Sequence, residues 1–159
     1  MSFPNDRTYT PDINNFLSDN AAPYTTTGYL QVGGANQILD LGGNQGTSPV
    51  QQARMDCVAV IDVTALKISS GNETYKFYVV VSNDPGLATG NVVAGGAEVG
   101  KGASLDIPNA GDNVTGRLEI MFSNNVAGSI YEYVGVYLAV GGTTPSISVE
   151  AFLAVLPEI

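Results

Sequence analysis

Apolar and polar side chains alternate with a period of two along much of this chain, a pattern that predicts strands rather than helices. Arg54 to Leu66 sets Met55, Cys57, Ala59, Ile61 and Val63 on one face. Arg54, Asp56, Val58, Val60 and Asp62 fall on the other, because successive side chains point to opposite sides of a strand. That mixed second face predicts a covered middle and wet ends. Thr74 to Ser82 is β-branched or aromatic at every position but Lys76 and Ser82 and gives the clearest strand. Tyr131 to Val140 sets Tyr131, Tyr133 and Tyr137 against Glu132, Val134, Val136, Leu138 and Val140. Ser146 to Leu156 turns Ile147, Val149, Ala151, Leu153 and Val155 inward. Shorter strands are expected over 37–41, 103–107 and 117–122, with weaker strand content at 91–93 and 98–99.

Turn chemistry bounds these runs: Gly42-Gly43, Ser70-Gly71-Asn72, Asn83-Asp84-Pro85-Gly86, Pro108-Asn109 and Gly141-Gly142. About eight strands separated by such turns predict an all-β protein of sandwich or barrel type. An eight-stranded jelly-roll β-sandwich is the simplest closed arrangement. An immunoglobulin-like sandwich is the runner-up, although the chain lacks the core Trp and the Cys pair usual there.

The first 35 residues differ, being rich in Asn, Asp, Thr, Pro and Gly and holding no period for long. They predict an extended N-terminal arm over 1–35, followed by a sandwich domain over 36–159. The isolated aromatics Phe3, Tyr9, Phe16, Tyr24 and Tyr29 favour an arm that docks, because a solvated tail has little use for them. Ile13 to Leu17 alone suits a helical turn. On this reading, removing residues 1–30 leaves the sandwich intact.

Composition narrows the functional classes. Only 13% of residues are charged and the net charge is −9. The basic residues Arg7, Arg54, Lys67, Lys76, Lys101 and Arg117 are scattered, which argues against nucleic acid and against anionic membranes. Neither a signal peptide nor a transmembrane run is expected. The chain contains no histidine, so Ser-His-Asp catalysis is excluded, and its single cysteine excludes thiolate zinc sites. Cys57 lies in an apolar run and reads as a small buried hydrophobe. Asp56 and Asp62 share a strand face, but lie roughly 20 Å apart in an extended chain, too far for a catalytic pair. Asp106, Asn109, Asp112 and Asn113 crowd one loop without EF-hand spacing. The expectation is a non-enzymatic protein with no catalytic residues, no cofactor and no metal.

The tyrosines carry what interaction chemistry remains. Tyr131, Tyr133 and Tyr137, with Phe3, Tyr9, Phe16, Tyr24 and Tyr29, are candidate interface residues, since tyrosine joins an apolar body to a polar tip. The alternative is stacking on sugars, as in a carbohydrate-binding module.

The segment from Gln37 to Leu156 resembles the jelly-roll cement, or decoration, proteins of tailed bacteriophages, of the Bordetella-phage type. In order, the matching stretches are Ile38-Leu39-Asp40-Leu41-Gly42, Ile61-Asp62-Val63-Thr64, and Asn72-Glu73-Thr74-Tyr75-Lys76-Phe77-Tyr78-Val79 leading to Ser82-Asn83-Asp84. Tyr133-Val134 and Gly141-Gly142-Thr143-Thr144-Pro145-Ser146-Ile147 complete them. The resemblance implies a homotrimer on the outer capsid surface of the virion. There it would clamp adjacent major capsid protein subunits, with terminal arms reaching neighbours. The alternatives are another minor virion component, such as a head fibre or tail tip, and a carbohydrate-binding β-sandwich.

Overall fold

The computed structural model describes residues 13–42, 54–100 and 116–155 of the chain. The expected strand over 103–107, the loop at 106–113, Phe3 and Tyr9 lie outside them.

A short 3-10 turn, Ile13–Asn15, leads into β1 (Phe16–Asp19). Four short strands follow: β2 (Gly28–Tyr29), β3 (Gln31–Val32), β4 (Ala35–Asn36) and β5 (Leu39–Asp40). The long strands are β6 (Asp56–Leu66), β7 (Thr74–Ser82), β8 (Val92–Gly100) and β9 (Gly116–Ser123). The minor strands β10 (Asn125–Val126) and β11 (Ser129–Ile130) precede β12 (Tyr133–Gly141) and β13 (Ile147–Val155). No α-helix occurs among the described residues.

The strands form two main antiparallel sheets, and the protein is an all-β sandwich. One sheet has four strands in the order β1-β13-β6-β9. The other has five, in the order β2-β12-β7-β8, with β5 also pairing with β12. Alternation explains the packing between them. Cys57, Ala59, Ile61 and Val63 on β6 meet Tyr75, Phe77, Val79 and Val81 on β7 within one core. Val134, Val136 and Leu138 on β12 and Ile147, Val149, Ala151 and Leu153 on β13 complete it.

Two irregularities preserve the inward set. The register of β6 on β13 shifts between Ser148 and Val149, so Thr64 is the extra residue. The bulge moves Leu66, rather than Ala65, into the core. A second shift, between Val79 and Val80, makes Ala94 the extra residue of β8. The expected fragments at 91–93 and 98–99 are one continuous strand, because Gly95 and Gly96 continue the ladder. A Cβ on Gly95 would lie 2.9 Å from Ile120 Cγ2, so glycine lets β8 pack close to β9.

The predicted second face of β6 has its covered middle. Val58 and Val60 are buried with Phe152 in a separate cluster, while Asp56 is exposed. Val155 departs from its expected inward position: it is 52% exposed, at the very end of β13.

The described part of the stretch read as an arm, residues 13–35, is docked on the chain's own sandwich. β1 pairs with β13, and β2 pairs with β12 through Tyr29↔Tyr137 and Gly28↔Leu138. Leu17 and Leu30 are buried in the core. Side chains stitch the segment down: Ser18 Oγ donates to the Val149 carbonyl at 2.8 Å. The Asp19 carboxylate accepts from Gly33 N at 2.8 Å and Ala21 N at 3.1 Å. The expected helical turn shrinks to Ile13–Asn15, and Phe16 and Leu17 belong to a strand.

Candidate interaction surface

The expected interface residues fall into three settings. Tyr133 and Tyr137 lie on β12 opposite the buried Val134, Val136 and Leu138, as alternation requires. They therefore face outward from the five-stranded sheet. Tyr137 pairs in register with Tyr78 on one side and Tyr29 on the other. The Tyr29 and Tyr137 rings meet edge to face, with centroids 5.1 Å apart at 74°. Desolvation of this pair raises the pKa of the Tyr29 phenol, with the neighbouring Tyr137 adding to it. Tyr133 is likewise raised by desolvation and by the nearby Glu132 and Asp40 carboxylates. Both phenols are thus neutral near pH 7.

Phe16 and Tyr24 serve the sandwich itself. The Phe16 ring lies 6.3 Å from that of Phe152. Tyr24 bridges to Ile147 through Tyr24 N to Ile147 O at 2.7 Å and Ile147 N to Tyr24 O at 3.0 Å. Its hydroxyl accepts Gln31 N at 2.9 Å and shares a hydrogen bond with Ser18 Oγ at 2.9 Å.

Tyr131 is displaced from the alternation expected of it, because β12 begins only at Tyr133. The ring is partly buried against the main core rather than paired with Tyr133 and Tyr137 on the outer face.

Three features escaped the sequence reading. Val93 and Met121 are exposed at 57% and 61%, one on each sheet. Met121 shares the outward parity of Arg117 and Glu119 on β9, whereas the extra residue Ala94 breaks the parity of β8 beside Val93. Tyr78 was legible as a strand residue but not as one end of a tyrosine row centred on Tyr137, which depends on register across β2, β12 and β7.

The third is a buried carboxylate joining two loops. Glu73 Oε1 accepts from Ser70 N at 3.2 Å and from Thr144 Oγ1 at 3.3 Å. Oε2 has no hydrogen-bond partner. Desolvation pushes the Glu73 pKa up, but the donors from Ser70 and Thr144 prevail and the pKa is lowered. Asn72 and Thr143 exchange two further bonds, at 3.0 and 3.1 Å, between the same loops. Gly142, at φ 103°, permits this approach: a Cβ there would lie 2.7 Å from Asn72 O.

Charge on the surface is sparse, and among the described residues most basic side chains are paired. Arg117 donates to both oxygens of Asp62, at 2.6 and 2.8 Å. Arg54 pairs with Asp56 at 3.1 Å, and Lys76 lies 4.0 Å from Glu98. Among the described residues, no group of three or more His, Cys, Asp or Glu is placed to hold a metal ion. Burial pushes the Cys57 thiol up to about 11, with Asp56 contributing, so it carries little thiolate at neutral pH.

No family model matches the chain, and neither a curated protein nor a solved structure matches it.

Proposed function

We propose that the chain is a non-enzymatic structural protein of a phage virion: a jelly-roll cement protein. It binds the outer capsid surface as a homotrimer and clamps adjacent major capsid subunits. The strand order supports the jelly-roll part. If β2 and β5 are counted as one strand, and β3, β4, β10 and β11 are set aside as minor hairpins, eight strands remain. Their sheet orders become first-eighth-third-sixth and second-seventh-fourth-fifth. Each sheet then interleaves strands from the two ends of the chain, as a rolled hairpin does.

One observation carries the functional part: the row Tyr29, Tyr137 and Tyr78 across the outside of the five-stranded sheet, with Tyr133 beside it. Half-buried tyrosines on an outward sheet face suit contact with another protein, because they supply apolar area at little cost in side-chain freedom. The resemblance of residues 37–156 to phage cement proteins gives that contact its context. A contact of about 800 Å² per partner makes a stable specific interface. Three linked contacts raise avidity through effective concentration.

Light scattering after size exclusion tests the assembly. The expected mass is three times the chain's 16.5 kDa. Heads lacking the protein should bind it on re-addition and become more resistant to heat. A monomer at micromolar concentration that fails to sediment with heads overturns the proposal. Tyr137→Ala should weaken the assembly while leaving the fold in place.

A further inference from the structure

The loop joining β7 to β8 is organised around one carboxylate. Asp84 Oδ1 accepts from Gly86 N at 3.0 Å. Oδ2 accepts from Ala88 N at 3.0 Å, Thr89 N at 2.9 Å and Thr89 Oγ1 at 3.1 Å. Ser82 Oγ donates to the Thr89 carbonyl at 2.6 Å and accepts from Asp84 N at 3.0 Å, which ties both ends of the loop together. Leu87, only 3% exposed, anchors the loop tip, and Asn91 Nδ2 caps its carbonyl at 2.6 Å.

The facing wall comes from the segment before β12. Tyr131 N donates to the Asn124 carbonyl at 2.9 Å, and Asn124 Nδ2 returns a bond to the Tyr131 carbonyl at 3.2 Å. Glu132 N donates to Asn83 Oδ1 at 3.0 Å, joining the two walls. Between them lies an open recess of about 450 Å³, lined by Ser82, Asn83, Asp84, Thr89, Gly90 and Tyr131.

The groups left over define what would fit. Asn83 spends its oxygen on Glu132 N, and its amide nitrogen has no partner among the described residues. The Tyr131 hydroxyl has none either. Asp84 Oδ1 accepts a single bond and keeps a free lone pair. The recess thus offers a fixed donor, a fixed charged acceptor and an aromatic surface with a polar tip. A ligand with many hydroxyls and an apolar C–H face uses all three: hydroxyls to the carboxylate and amide, and the C–H face on the ring. An anionic sugar would meet the Asp84 carboxylate at close range in a chain of net charge −9.

We propose that this recess binds a neutral hexose unit of a glycan, with Tyr131 as the stacking surface and Asp84 and Asn83 as hydroxyl partners. The site is independent of the capsid reading, and a trimer on a shell would present three copies of it.

Saturation-transfer NMR on the full chain tests it. The probes are glucose, galactose, mannose and N-acetylglucosamine, with glucuronate and sialic acid as acidic counterparts. At least one neutral sugar should bind with a Kd of about millimolar, the range in which a shallow single site operates. Tyr131→Ala should weaken binding about tenfold or more. Tyr131 also packs on the core, so Asn83→Asp provides a second variant. It keeps the acceptor for Glu132 N, removes the amide donor, and should also lower affinity with Tm unchanged. Absence of binding by every neutral sugar, tighter binding of the acidic ones, or wild-type affinity in both variants would refute the assignment.

Discussion

Phe77 and Tyr78 are neighbours in sequence and opposites in setting. Phe77 is fully buried between the sheets, while Tyr78 faces outward in the tyrosine row. The alternation along β7 makes that assignment from sequence alone, since every second residue from Tyr75 to Val81 is apolar. Truncating Phe77 to alanine removes a large ring from a close-packed interior and should destabilise the fold by about 3–5 kcal/mol. Val93→Ala, at a side chain 57% exposed, should change stability by less than about 0.5 kcal/mol in the isolated protein. Urea denaturation of both variants measures the contrast. Similar losses for the two would mean that β7 and β8 face the other way.

The same logic fails for the N-terminal elements, for a physical reason. β1 contributes Leu17 and Ser18 as its buried residues, and β2 is only Gly28–Tyr29. Segments so short show no period, and their partners β13 and β12 lie at the other end of the chain. The long strands other than β8 were legible because each carries its own alternation. The first strands exist only through long-range pairing, which local sequence does not encode. β8 was half legible because its glycines, needed for close approach to Ile120 and Phe77, mimic a loop. The outward tyrosines Tyr133 and Tyr137 were legible from parity. The recess of Asp84 and Tyr131 was not, because it joins two loops distant in sequence. Removing residues 1–30 is therefore expected to do more than detach an arm. It deletes β1 and β2, takes Leu17 and Leu30 from the core, and bares the edge of β13. The truncated chain should lose several kcal/mol, by the cost of two buried leucines alone, and should aggregate through its open edge. Circular dichroism melting and light scattering of the truncated protein check both effects. Removing only residues 1–12 spares every one of these contacts.

At the scale of the whole molecule, acid carboxylates outnumber basic groups, 15 to 6, so pH acts mainly through carboxyl protonation. Among the described residues, four carboxylates have pKa values lowered by the folded structure. Asp19 is held by Gly33 N and Ala21 N, and Asp84 by Gly86 N first and by the Thr89 and Ala88 donors. Asp56 is held by Arg54, and in Glu73 the donors outweigh desolvation. A lowered pKa means that the unfolded chain binds more protons than the folded one between the two values. The stability these groups contribute is present above their unfolded pKa and is lost as pH falls through the folded one. The denaturation midpoint should stay flat from pH 8 to about 5 and then fall. Relief of the repulsion among net negative charges acts in the opposite direction over the same range, so the fall alone does not identify its source. Asp84→Asn separates the two. It barely alters the overall charge, but it replaces one carboxylate oxygen with an amide that cannot accept from Ala88 N and Thr89 N. The variant should be less stable than wild type at pH 7, and the gap should narrow as pH falls below the unfolded carboxylate value and close only below the lowered folded one, where the wild-type carboxylate is itself protonated. Parallel curves with a constant gap would show that the Asp84 hydrogen bonds do not set the acid limit of this fold.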